Sequence, residues 1–97
     1  VLEFNRSSCP DRFARMGALL SGSTTTPQPE PGARQCVQKV LRLSRAIGIP
    51  EKLSDLKIPR KAIPQMAPAA LKVARPIENN PRPITEEDIA ALYRRMF

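Results

Sequence analysis

Ninety-seven residues leave room for one domain or part of one, and 41% apolar residues with eleven prolines, three Phe, one Tyr and no Trp supply few large side chains to offset the entropy of ordering the chain. The absence of histidine, with Cys9 and Cys36 as the only thiols, excludes a Cys/His zinc site, a histidine-assisted nucleophile and a disulfide framework, and no apolar run approaches the ~20 residues needed to span a bilayer. The net charge of +7 is local: between residues 34 and 61, Arg34, Lys39, Arg42, Arg45, Lys52, Lys57, Arg60 and Lys61 face only Glu51 and Asp55.

The chain begins at Val1 rather than at a methionine, and Val1 to Asn5 reads as the tail of an apolar element already under way. The expectation is a polypeptide cut from a longer parent or trimmed of a leader. Ser8-Cys9-Pro10 reads as a helix entry, with Pro10 at the first helical position and Asp11 in the first turn. Phe13, Met16 and Leu20 share one face of that helix, Gly17 admits a close neighbour, and Gly22 closes it. Residues 21–32 are rich in Ser, Thr, Gly and Pro and read as a surface loop.

A second helix is predicted from about Ala33 to Ile47. Cys36, Val40, Leu43 and Ile47 form its apolar stripe, widened by Val37, Leu41 and Ser44, and Gly48 with Pro50 ends it. Leu53 to Leu56 reads as a short turn capped by Ser54. Ile58-Pro59 opens another turn, and Ile63-Pro64 begins a helix with Ile63, Met66, Ala67, Ala70 and Leu71 on one face. Pro68 lies inside that helix, so a kink or a later start is expected. Residues 74–83 read as a proline-punctuated connection. The last helix is capped by Thr85 with Asp88 three residues on, carries three acids in its first turn, and runs to the chain end with Ile89, Leu92, Tyr93 and Met96 on its apolar face. No segment alternates as a strand does. The fold class is all-α, four to five helices joined by Pro-rich loops.

Chemistry is sparse. The glycines at 17, 22, 32 and 48 build no phosphate-cradling loop. Glu86, Glu87 and Asp88 suit a first helical turn better than a metal cluster, and both cysteines read as free, largely buried thiols. No catalytic, cofactor-binding or metal-ligating residue can be named in this chain. The basic stretch leaves an alternative, a small independent helical module that binds nucleic acid or an acidic protein. The lack of any aromatic residue between 34 and 61 for stacking on bases weighs against nucleic acid.

The ordered combination of Val1-Leu2-Glu3-Phe4-Asn5, Cys9-Pro10-Asp11-Arg12-Phe13, residues Leu43 to Leu53 with Gly48-Ile49-Pro50 at their centre, Ile63 to Lys72, and Asn79-Asn80-Pro81-Arg82-Pro83-Ile84-Thr85-Glu86-Glu87-Asp88-Ile89 before Leu92-Tyr93 resembles the C-terminal helical region of the iron-containing alcohol dehydrogenases. The resemblance spans nearly the whole chain. It implies a parent several times longer, with an N-terminal α/β domain that binds NAD or NADP and an all-helical domain that holds Fe(2+), or zinc, through one Asp and three His. Residues 1–97 would be the C-terminal portion of that helical domain, with the ligand helices and cofactor domain outside them. The implied reaction is hydride transfer between an alcohol and an aldehyde or ketone, the metal acting as Lewis acid. The 97-residue chain itself is expected to be inactive. The implied partners are the rest of the parent polypeptide, a small alcohol or aldehyde, and further copies in a homo-oligomer; the implied location is cytoplasmic. By the same resemblance Pro76 and Ile77 are candidates for the wall of the substrate cleft. Pro68 and the proline-rich loop at 24–31 depart from the family's usual pattern.

Overall fold

The computed structural model describes residues 1–97 as helices, 3-10 turns and connecting loops without a strand. Backbone proximity divides the chain into two units, residues 1–49 and 50–97.

In the first unit α1 (Leu2–Asn5) passes through a 3-10 turn (Arg6–Ser8) into α2 (Pro10–Leu20), and a loop leads to α3 (Pro29–Ala46). Cys9 occupies the N-cap of α2 and Pro10 its first position, where the missing N–H would have had no helical partner. Gly22 closes α2 with φ of 65°: its N–H donates to the carbonyl of Leu19, and the Ser23 N–H donates to that of Ala18, both at 3.0 Å. Gly48, with φ of 77°, ends α3 in the same way, through Gly48 N–H to Arg45 and Ile49 N–H to Ser44.

The α3 helix begins at Pro29 rather than Ala33, so the surface loop read over 21–32 stops at Gln28. The prolines that suggested a loop are compatible with a helix start, because Pro29 and Pro31 lie where backbone donors are unpaired in any helix.

At the contact between α2 and α3, a methyl group placed on Gly32 would lie 2.7 Å from the Ala14 Cβ, and one on Gly17 would lie 3.0 Å from the Cys36 Cβ. Only Gly and Ala permit so close an approach, and that selects the edge of α2 that is buried. Phe13, Ala14, Gly17 and Ala18 turn inward, while Met16 and Leu20, expected on the same buried face as Phe13, are 43% and 54% exposed. Phe13, Ala33, Cys36 and Val37 form the core, with Cys9 half-buried against it. The apolar stripe of α3 is covered over its first half only: Val40 and Ser44 are half-buried, and Leu41, Leu43 and Ile47 are exposed. Arg6 ties this unit together at its rim, pairing with Glu3 at 2.9 Å and with Glu30 of α3 at 3.0 Å.

The second unit contains 3-10 turns at Leu53–Leu56 and Arg60–Ala62, then α4 (Ile63–Leu71), α5 (Ala74–Glu78) and α6 (Glu86–Arg94). Ser54 does not cap the first turn. The turn starts at Leu53 behind Lys52, and no side-chain cap bond is made. Pro68 neither delays nor ends α4, because in a nine-residue helix it removes only the bond its own amide would give to Pro64. Within the stretch read as a connection lies α5; Pro76 is its third residue, a position that needs no donor.

The start of α6 is as expected. The Thr85 hydroxyl accepts the Asp88 N–H at 3.2 Å, and the Thr85 N–H donates to the Asp88 carboxylate at 2.9 Å. The helix ends at Arg94 instead of running to the chain end, since the Met96 carbonyl is turned to accept the Leu53 N–H at 2.6 Å. Met96, expected on the buried face, is accordingly 39% exposed. Ile63 and Ala67 of α4 and Ile89 and Ala90 of α6 form the core, with Ile77, Ile84, Tyr93 and Phe97 half-buried around it.

Candidate functional site

Pro76 and Ile77 sit on α5 and part company there. Ile77 packs half-buried on the apolar cluster of α4 and α6, whereas Pro76 is exposed. The loop that follows is braced by its own asparagines: the Asn79 side-chain amide donates to the Arg75 carbonyl at 2.8 Å, and that of Asn80 donates to the Arg82 carbonyl.

Neither residue lines the shallow groove of about 280 Å³ in the first unit, which is bounded by Ser21, Ser23, Thr25, Gln35 and Lys39. The ammonium in that groove is already engaged, because Lys39 donates to the Gly17 carbonyl at 3.1 Å and so serves the C-terminal turn of α2. A second, more open groove is bounded by Arg34, Gln35, Gln38, Lys39 and Arg42, all from α3. One helix contributes all of those side chains, which makes the groove a solvated ridge rather than an enclosed cavity.

The basic stretch is divided between the two units: Arg34, Lys39, Arg42 and Arg45 lie on α3, and the other four cations lie in the second unit. In the second unit the Arg60 guanidinium stands 5.7 Å from the centre of the Phe97 ring.

The acids of α6 have structural employment. Bonds from the Thr85 N–H and hydroxyl hold the Asp88 carboxyl below its usual range. Glu87 pairs with Arg94 at 2.8 Å. The Cys36 thiol is buried, and burial pushes its pKa up; Cys9 is half-buried, and both are free. No three Cys, Asp or Glu side chains come together as metal donors. With histidine also absent, the residues of this chain do not fit a catalytic iron or zinc ion. No helix is long and apolar enough to cross a membrane.

Periodicity alone did not isolate the confinement of the uncovered stripe to the second half of α3. Its signal was the difference in length between a helix of eighteen residues and a partner helix of eleven.

Comparison with known proteins gives this arrangement a context. Residues 1–97 match the family model described as Fe-containing alcohol dehydrogenase family, C-terminal. The chain is 34% identical to 1,3-propanediol dehydrogenase of Klebsiella pneumoniae over all 97 residues, which is 25% of that relative's length. It is 29% identical to lactaldehyde reductase of Escherichia coli (strain K12) over 93 residues, 24% of that relative. A solved structure described as 1,3-propanediol oxidoreductase superposes with a TM-score of 0.89 at 33% identity, covering 99% of this chain and 25% of that one. The chain therefore spans about a quarter of the length of the relatives it matches.

Proposed function

The chain belongs to the Fe-containing alcohol dehydrogenase family, and from that premise we propose that it is the C-terminal portion of the all-helical domain of an NAD(P)- and metal-dependent alcohol dehydrogenase. In the parent, hydride passes between a small alcohol and the corresponding aldehyde or ketone, with iron or zinc as Lewis acid and the nicotinamide as hydride carrier. Metal ligands and cofactor-binding residues come from outside these 97 residues, so the chain alone is inactive. Its part is to complete the helical domain, with Pro76 and Ile77 on α5 forming a portion of the cleft wall. The parent works in the cytoplasm as a homo-oligomer, and its substrates are short oxygen-bearing alcohols or aldehydes, the class that the names of the relatives suggest.

The observation that carries this reading is the family match over every residue of a chain whose own side chains assemble no donor set for a metal. The experiment is an assay of purified full-length parent and of the 97-residue polypeptide with short diols, NAD or NADP, and added Fe(2+) or Zn(2+). Activity in the parent alone is expected. Turnover by the 97-residue polypeptide, or its absence from a folded, metal-loaded parent with every alcohol and aldehyde tried, would refute it. For the cleft wall, Ile77→Ala in the parent is expected to raise the KM for the alcohol at least several-fold and leave the KM for NAD(P) unchanged; equal KM values for wild type and variant exclude Ile77 from the cleft.

A further inference from the structure

The outer face of α3 is cationic along its length and carries no counter-charge of its own. Between Pro31 and Ala46 the helix contains no Asp or Glu. Arg34, Gln38, Arg42 and Arg45 follow one another by four, four and three residues, so they share one face, opposite the buried Ala33, Cys36 and Val37. Gln35 flanks that row, and all five side chains are exposed. A solvated helix face ordinarily sets carboxylates three or four residues from its cations, because like charges at that spacing repel. Here the nearest candidates are spoken for: Arg6 takes the carboxylates of both Glu3 and Glu30. Neither Arg34 nor Arg42 has an ion-pair partner. Lys39 borders the row with its ammonium on the Gly17 carbonyl at 3.1 Å, so it adds to the local field rather than to the row itself.

From this we propose that Arg34, Gln35, Gln38 and Arg42 form a docking surface for an acidic segment of a separate protein. The row contains no apolar residue, whereas the faces through which α2 and α3 pack on each other are built of Phe, Ala, Gly, Cys and Val. Burying the row inside a domain would desolvate unpaired guanidiniums, so it suits a reversible contact that keeps water at its edges. Spacing and donor chemistry select the partner. Arg34 and Arg42 lie roughly 12 Å apart at about 1.5 Å per residue. Four residues of an extended segment span nearly the same distance at about 3.3 Å each, and side chains four apart there share one face. Two carboxylates at that separation can each meet a guanidinium fork. Midway between the forks, Gln38 offers a carbonyl and an amide, which match the N–H and C=O of the peptide joining the two acids. A phosphate chain presents acceptors only and would leave the carbonyls of Gln35 and Gln38 to water. No aromatic side chain lies between 34 and 45 on which a base could stack. The surface belongs to α3 alone and does not depend on the dehydrogenase reading.

The test uses the full-length parent and a fluorescein-labelled peptide of about nine residues, with Glu at every second position and Ser between, followed by fluorescence anisotropy. Saturable binding is expected, weakened about 10-fold or more in Arg34→Gln/Arg42→Gln and by rising salt, and kept in Lys61→Gln/Lys72→Gln, which removes two exposed cations elsewhere. The charge reversal Arg34→Glu/Arg42→Glu is expected to reject this peptide and to bind its Lys counterpart. Absence of binding, or equal binding by wild type and Arg34→Gln/Arg42→Gln, overturns the docking surface. Tighter binding of a DNA duplex or of phosphatidylserine-rich vesicles than of the peptide, lost in the same variant, assigns the face to phosphates and overturns the proposal equally. If the variants do not fold, phenylglyoxal modification of Arg34 and Arg42 in the unaltered parent reads the same contact by mass spectrometry, and equal rates with and without the peptide overturn it. Alcohol oxidation measured on the same parent judges the dehydrogenase reading separately, so either idea can fail without the other.

Discussion

Gly32 and Gly22 are both glycines for a reason, and the reasons predict different behaviour. Alanine generally favours a helix over glycine by about 1 kcal/mol, yet Gly32→Ala sets a methyl group 2.6 Å from Pro27 and 2.7 Å from Ala14. Overpacking of this kind costs roughly 1–3 kcal/mol, so the variant of the full-length parent is expected to melt at a lower temperature by calorimetry. Gly22 has open space around it but a φ of 65°, and Gly22→Ala is expected to cost about 1 kcal/mol through backbone strain alone. Native-state alkylation should separate the thiols: Cys36, buried and held protonated by its surroundings, is expected to react much more slowly than half-buried Cys9. The glycines at 17, 22 and 48 were legible in the sequence because a turn or a close crossing has few alternatives. The burial of Ala14 and Ala18 in place of Met16 and Leu20 was not, since periodicity weighs side chains by size and is blind to how near a neighbour's backbone will come.

The element whose start could be read best is α6. Thr85, the three acids and the apolar spacing all specify the same helix start, and the cap bonds are made as the spacing requires. Thr85→Ala is expected to destabilise the N-terminal turn by about 1 kcal/mol, seen as faster amide exchange at Asp88 and Ile89. Because the Asp88 carboxyl titrates below its unfolded value of about 3.9, its contribution is fully present above that pH and is lost as pH falls through the lower folded value. The Thr85 amide signal should therefore move in acid with a midpoint below about 3.9, and Asp88→Asn should abolish that movement. The far end of α6 was less legible. The Met96 carbonyl just beyond its end accepts the Leu53 N–H, a partner that no local rule could name. The early start of α3 and the existence of α5 were hidden for a related reason: proline reads as a breaker, but in the first turn of a helix it removes nothing that was needed.

At the scale of the whole chain, the all-α class and the ordered helices were readable from the absence of strand alternation and from the terminal signals. The extent of burial was not, because periodicity marks which side chains are apolar and not which of them find a neighbour. No large side chain is fully buried, while Leu19, Ile47, Leu56 and Val73 are each more than half exposed. The 97-residue polypeptide alone is accordingly expected to bind a hydrophobic dye such as ANS and to lose its helical signal gradually on heating. A sharp two-state melt without dye binding would contradict the view that its cores are completed from elsewhere. The bond between Leu53 and Met96 also orders events in time. An amide near the start of the second unit waits for a carbonyl near the end of it, so a ribosome must release almost the entire unit before that unit can close. Nascent chains arrested before Met96 should leave residues 50–62 open to proteases, and those that have extruded Phe97 should not.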